Sequence, residues 1–172
     1  MSILSLFRET REVRRFADRP VEREFILSIL DDAVWAPNHK LREPWRFIYA
    51  EGAAKHRLAD AVDARQHPRL VETLAQAPVA LIVTSPIHKD ERIDSDDFGA
   101  VCCLIQNIQL LGWAQGLGMA WELADYSGCA ELRALAGVRN DERIAGILGL
   151  GFFDSLPEKP AAAPLHERLE IW

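Results

Sequence analysis

Cysteine is scarce in this chain of 172 residues: Cys102, Cys103 and Cys129 are the only three. An odd number with an adjacent pair is no disulfide framework, and no CxxC or Cys/His spacing builds a zinc site, so no metal centre is expected. No secretory leader is expected either. Met1–Phe7 is too short for one and runs into charge, which points to a reducing, cytoplasmic setting. There is no lysine- or arginine-rich stripe, and the net charge is −6; nucleic acid is therefore not expected as a partner. The longest apolar stretch, Phe98–Leu117, is broken by Gln106, Asn107, Gln109 and Gln115. It reads as a core helix rather than a membrane span. The first strand is not followed by GxGxxG, and GxxxxGK[ST], GxSxG and HExxH are absent. This excludes the usual dinucleotide and phosphate loops, the nucleophile elbow and the zinc-peptidase helix.

What is present suits one domain over residues 1–172, since 49% of the residues are hydrophobic and 27% charged, enough to enclose a core. Helices are expected over 2–10, 22–35, 53–63, 68–76, 96–116 and 129–136. The 22–35 segment is the clearest, with Ile26, Ile29, Leu30 and Ala33 at helical spacing before Pro37 ends it. "WRFIYAEG", "VALIVTS" and "RIAGILGLGF" read as strands, the last two buried on both faces. "MAWEL" reads as a strand or an extended turn. The acidic run "HKDERIDSDD" (88–97) reads as a solvated loop. The tail beyond Asp154, with Pro157, Pro160, Pro164 and three alanines, should run over a surface. The pattern gives an α+β fold, a central mixed β-sheet flanked by helices.

Three pieces stand in order: "TREVRRF" (10–16) between a helix and a connector, "APNHKLREPWRF" (36–47) between a helix and a strand, and "AQGLGMAW" (114–121) ending the long helix. Together with "GILGLGF" near the end, these resemble the nitroreductase family of FMN-dependent flavoproteins, in particular its small single-domain members. The resemblance implies the nitroreductase-like fold and a homodimer whose C-terminal segments extend onto the partner. Two FMN molecules lie at such an interface, and NAD(P)H reduces the flavin before an acceptor such as a nitroaromatic or a quinone takes the electrons, a ping-pong sequence.

The resemblance also assigns roles. A reduced flavin needs a positive group near N1 and O2; the family's basic residue there falls on Arg14, and Arg11 matches the arginine that accompanies it. Each would otherwise read as a solvated surface arginine. His39 corresponds to a residue that contacts the partner's flavin, and an imidazole can deliver a proton near neutral pH; a loop-locking histidine is the other reading. Asn38 takes the place of a small polar residue that bonds the ribityl chain or holds the loop. Pro44 and Trp45 read as structural. Gly116 and Gly118 are expected to form a tight turn, with the backbone of Trp121, Glu122 and Leu123 approaching the flavin beyond it.

Two departures bear on the cofactor. Thr10 replaces the leading arginine that normally holds the FMN phosphate, with Glu12 where the family carries serine. Ala161, Ala162 and Ala163 occupy the region of a Lys/Arg pair, with Lys159 nearby. Losing two charge-assisted bonds of about 1.5–3 kcal/mol each weakens flavin binding by about two to four decades. Arg8, Arg11 and Arg168 are the substitutes at hand. The alternative is a degenerate member with weak or lost FMN binding, serving as a ligand-binding or interaction module.

Overall fold

In the computed structural model, residues 2–159 and 168–172 are described; the alanine positions 161–163 lie outside them. Helix α1 (Ile3–Glu9) starts where the Ser2 side chain accepts a hydrogen bond from the Ser5 amide. An extended segment follows and leads to α2 (Arg23–Ala33), which buries Ile26, Ile29, Leu30 and Ala33, the stripe its periodicity predicts. A short 3-10 turn, His39–Leu41, precedes β1 (Arg46–Glu51), α3 (Gly52–Asp60) and α4 (Pro68–Gln76). Pro68 stands in the first turn of α4, where its missing amide is harmless. Then come β2 (Val79–Pro86), α5 (Glu91–Ala114), β3 (Leu117–Glu122), α6 (Ala130–Leu135) and β4 (Glu142–Phe152).

The strands form a sheet in the order β1-β2-β4-β3. Helices on both faces give the expected α+β architecture, but the three pairings are all antiparallel rather than mixed. The cause is where β4 inserts. Helix α5 does carry the chain from β2 to a strand of the same direction, β3, as a crossover should. The last strand then slots between them, opposite in direction to both, so the parallel pair never bonds.

Alternation along β2 divides the core in two. Val79, Leu81 and Val83 join α2, α5 and their neighbours in one apolar cluster, while Ala80 and Ile82 join α3, α4 and α6 in the other. Strand β4 likewise sends Leu148 and Leu150 to the first and Ile144 and Ile147 to the second. Both strands are buried on two faces, which explains their unbroken apolar sequences.

Helix α5 begins earlier than its apolar pattern suggests. The 88–97 run, expected as a solvated loop, supplies its cap and first two turns: Asp90 accepts from the amides of Arg92 and Ile93. Glu91 and Asp94 in the first turn complement the positive helix end. Asp97 is only 1% exposed. It shares one helix face with Ala100, Val101 and Leu104 and is matched by Arg42 and His88.

Glycine placement locates the segment that follows α1. Gly118 and Gly151 are partners across β3 and β4. A Cβ at Gly118 would lie 2.6 Å from the Val13 Cβ, and one at Gly151 would lie 2.7 Å from Phe16. The bare backbone is thus a furrow into which Val13 and Phe16 settle. The Val13 amide bonds the Met119 carbonyl at 2.9 Å and the Ala17 amide bonds that of Phe152 at 2.7 Å. Gly116, at φ +79°, makes the expected turn; Gly118 belongs to β3 and serves this close approach instead.

Candidate active site

The furrow fixes Val13, and its neighbour Arg14 is thereby set beside the end of β3. Arg14 Nη1 donates to Glu122 Oε1 at 2.7 Å and to Thr73 Oγ1 at 3.2 Å, and Nη2 donates to Glu12 Oε1 at 2.5 Å. The Thr73 hydroxyl donates in turn to Glu122 at 2.7 Å. Arg69 lies 3.5 Å from the other Glu12 oxygen. Burial works against the charge of Arg14, but the bonds to Glu12 and Glu122 outweigh it and hold the guanidinium pKa above its ordinary value. Thr73 reaches this cluster because Gly149 carries no side chain: a Cβ there would meet the Thr73 methyl at 2.5 Å.

Beside the cluster opens a cavity of about 280 Å³, lined among others by His67, Arg69, Trp121, Glu122, Leu123 and Tyr126. Trp121 also packs into the sheet. Its ring nitrogen, which has no hydrogen-bond partner among the described residues, lies 2.2 Å from where a Cβ at Gly146 would be. Leu123 is 61% exposed at the mouth. The three positions expected near a ligand, Trp121–Leu123, therefore do line one cavity, and Arg14 and Glu12 adjoin it through Glu122.

A second group of charges lies on the same segment. Arg11 Nη1 is 3.5 Å from Glu9 Oε2, and Lys159 Nζ donates to Glu9 Oε1 at 2.8 Å. The Lys159 hydrogen bond is the main reason the Glu9 carboxyl is held below its usual pKa range. Arg11 is nearly enclosed, with its guanidinium 5.7 Å from the centre of the Trp113 ring, and its Nε is buried without a partner among the described residues. Thr10 is absorbed elsewhere: its hydroxyl bonds the Leu6 carbonyl at the end of α1.

Asn38 and His39 stand apart from both groups. The Asn38 side chain locks its own loop, accepting from the Glu43 amide at 3.0 Å and donating to the Ala36 carbonyl at 3.2 Å. His39 is exposed, and among the described residues its ring bonds nothing. The loop carries three non-glycine residues at positive φ: Lys40 (57°), Leu41 (52°) and Glu43 (47°). Each costs about 1–3 kcal/mol. Arg42 anchors the loop by donating Nε to Asp97 Oδ1 at 2.7 Å, while His88 holds the other Asp97 oxygen at 2.9 Å.

Sequence reasoning passed over Thr73, Arg69, His67 and Asp97. Two of these left a signal. Thr73 shares the apolar face of α4 with Leu70 and Leu74, and Asp97 shares that of α5 with Leu104. A polar side chain inside an apolar stripe needs a buried partner.

The model of the nitroreductase family matches residues 7–152. The protein named Putative NAD(P)H nitroreductase YfhC, from Bacillus subtilis (strain 168), is 35% identical over 95% of this chain and 90% of its own length. The crystal structure of the nitroreductase-like family protein from Bacillus cereus superposes with a TM-score of 0.89. It is 33% identical and covers 100% of this chain and 96% of that one. That of the FMN and NADPH-dependent nitroreductase NfnB from Sphigopyxis sp. strain HMH gives a TM-score of 0.78 at 19% identity, over 100% and 99% of the two chains.

Proposed function

The chain belongs to the nitroreductase family, and from that premise we propose that it is an FMN-dependent oxidoreductase in which NAD(P)H reduces the flavin and a nitroaromatic or quinone-like acceptor reoxidises it. The observation that carries the reading is the Arg14 cluster, held by the glycine furrow and joined through Glu122 to a cavity.

The residues present fit FMN. Arg14 supplies the cation that the N1/O2 edge of the ring requires. The backbone of Arg11, three residues earlier, lies within about 11 Å of that of Arg14, a spacing comparable to the ribityl chain between ring and phosphate. There Arg11 and Lys159 already converge on one carboxylate, Glu9, so a phosphate would find two cations and an Arg11 Nε that has no partner among the described residues. When bound, the flavin accepts a hydride at N5 and passes electrons on. Arg14 would hold the negative charge of the reduced ring, the Glu122–Leu123 backbone would border the ring, and Thr73 would keep Glu122 in register.

His39 acts on the partner's site in this reading, where it shapes the pocket and hands over a proton. A second copy is supported by apolar surface that the described residues leave uncovered. Trp35 and Leu41, flanking the His39 loop, are 86% and 81% exposed, and α1 buries no residue at all although it carries Ile3, Leu4 and Phe7. The second reading, a fold that has lost catalysis, draws on the carboxylates Glu9, Glu12 and Glu122, which already engage these cations. Anaerobic mixing of the FMN-supplemented protein with NADH or NADPH separates the two. Bleaching of the flavin's visible absorbance, restored by a nitroaromatic or a quinone, supports the enzyme; an unchanged spectrum with both nucleotides refutes it.

A further inference from the structure

Arg14 is one cation held by two carboxylates. Glu122 is buried beneath it and also bonded by Thr73, whereas Glu12, paired through one oxygen with Arg14 and through the other with Arg69, has a side chain 42% exposed. The two acids therefore differ in role. Glu122 is fixed by packing and orients the guanidinium. Glu12 is not needed for that orientation, and it bonds Nη2 on the side away from Thr73 and Glu122. Among the described residues, Arg14 and Arg69 are paired here with Glu12 and Glu122, two charges of each sign, and His67 lines the adjoining cavity.

We infer that Glu12 tunes the reducing strength of the site: by sharing Arg14 with Glu122 it withholds positive charge from a reduced ring and keeps bound flavin in a more strongly reducing state. The inference rests on the flavin reading above. Hydride transfer delivers two electrons and one proton to the ring and leaves the nicotinamide oxidised; the ring thereby gains one negative charge, shared between N1 and O2. Glu12 is a fixed negative charge on the cation that faces this edge. It disfavours the reduced form relative to the oxidised one, and does so modestly because the carboxylate is partly in water.

The test is the two-electron midpoint potential of bound FMN, measured by dye equilibration at saturating FMN in the wild-type protein, Glu12→Gln, Glu12→Ser and Arg14→Met. Removing the Glu12 charge should move the reduced-to-oxidised ratio about three- to tenfold toward reduced, an upward shift of about 15–30 mV for a two-electron couple. Arg14→Met should shift it downward. Glu12 is on the surface, so both of its variants should melt near the wild-type temperature. A potential unchanged or lowered in Glu12→Gln and Glu12→Ser, with flavin bound, overturns the inference and leaves the functional reading standing. Failure of every protein to bind flavin overturns both.

Discussion

The furrow at Gly118 and Gly151 can be filled deliberately. In Gly118→Ala the new methyl would stand 2.6 Å from the Val13 Cβ and 2.7 Å from both its γ-carbons, about 1 Å inside ordinary contact at three atoms. Val13 is 1% exposed and its amide is bonded to Met119, so the segment must lift from β3 or the strand must bend. Overpacking of this kind costs about 1–3 kcal/mol. Because Arg14 is the next residue, its bonds to Glu122 and Thr73 should weaken as well. Urea unfolding of Gly118→Ala, Val13→Gly and the double variant isolates the contact. Val13→Gly alone loses a buried side chain and should cost about 2–4 kcal/mol. The double variant should be more stable than the two single losses predict by at least about 1 kcal/mol, since the new methyl then occupies vacated space. Strict additivity, or a Gly118→Ala protein as stable as the wild type, would refute the account of how the segment is seated.

Asp97→Asn should break the anchor of the His39 loop. With Arg42 partly exposed, the loss should be about 2–4 kcal/mol, somewhat below that for a fully buried pair, and limited trypsin digestion should cleave faster after Lys40. Glu142 is held at a pKa of about 2, chiefly by its hydrogen bonds from Arg46 and then by the Arg139 amide. A depressed carboxyl pKa stabilises the fold above the unfolded value near 4.5 and loses that contribution as pH falls toward 2. Glu142→Gln should therefore be less stable than the wild type by about 1.5–3 kcal/mol at pH 7, with the gap closing between pH 4.5 and 2 in a melting series. Leu104→Ala, which empties a fully buried site on α5, should cost about 2–5 kcal/mol in urea unfolding.

Periodicity made the scaffold legible. Strands β2 and β4 declared themselves because both of their faces are covered, and α2 because its apolar stripe is clean. What periodicity could not express was pairing. The order that puts β4 between β2 and β3 depends on contacts far apart in sequence, and it turned an expected mixed sheet into an antiparallel one. The acidic 88–97 run looked like solvent because seven of its ten residues are charged (Lys89, Asp90, Glu91, Arg92, Asp94, Asp96, Asp97). One of them, Asp97, is buried, and its partner Arg42 lies 55 residues away. At the site, the resemblance named Arg14, Glu12 and Glu122 but not the bonds that join them: Glu12 is two residues from Arg14, whereas Thr73 and Glu122 come from α4 and β3. Thr10 stands where the family's phosphate ligand is expected, and its hydroxyl closes α1. Lys159 reaches Glu9 from across the fold, 150 residues on, a meeting no local pattern announces.

The claim that the Arg14 segment builds a flavin site is tested most directly by titrating FMN with the purified protein and following the visible absorbance. Perturbed bands should saturate near one flavin per chain with a midpoint in the micromolar range, about −8 kcal/mol, and Arg14→Met should respond much more weakly. A flavin spectrum identical to that of FMN in buffer, even with the protein in large excess over that midpoint, would contradict it.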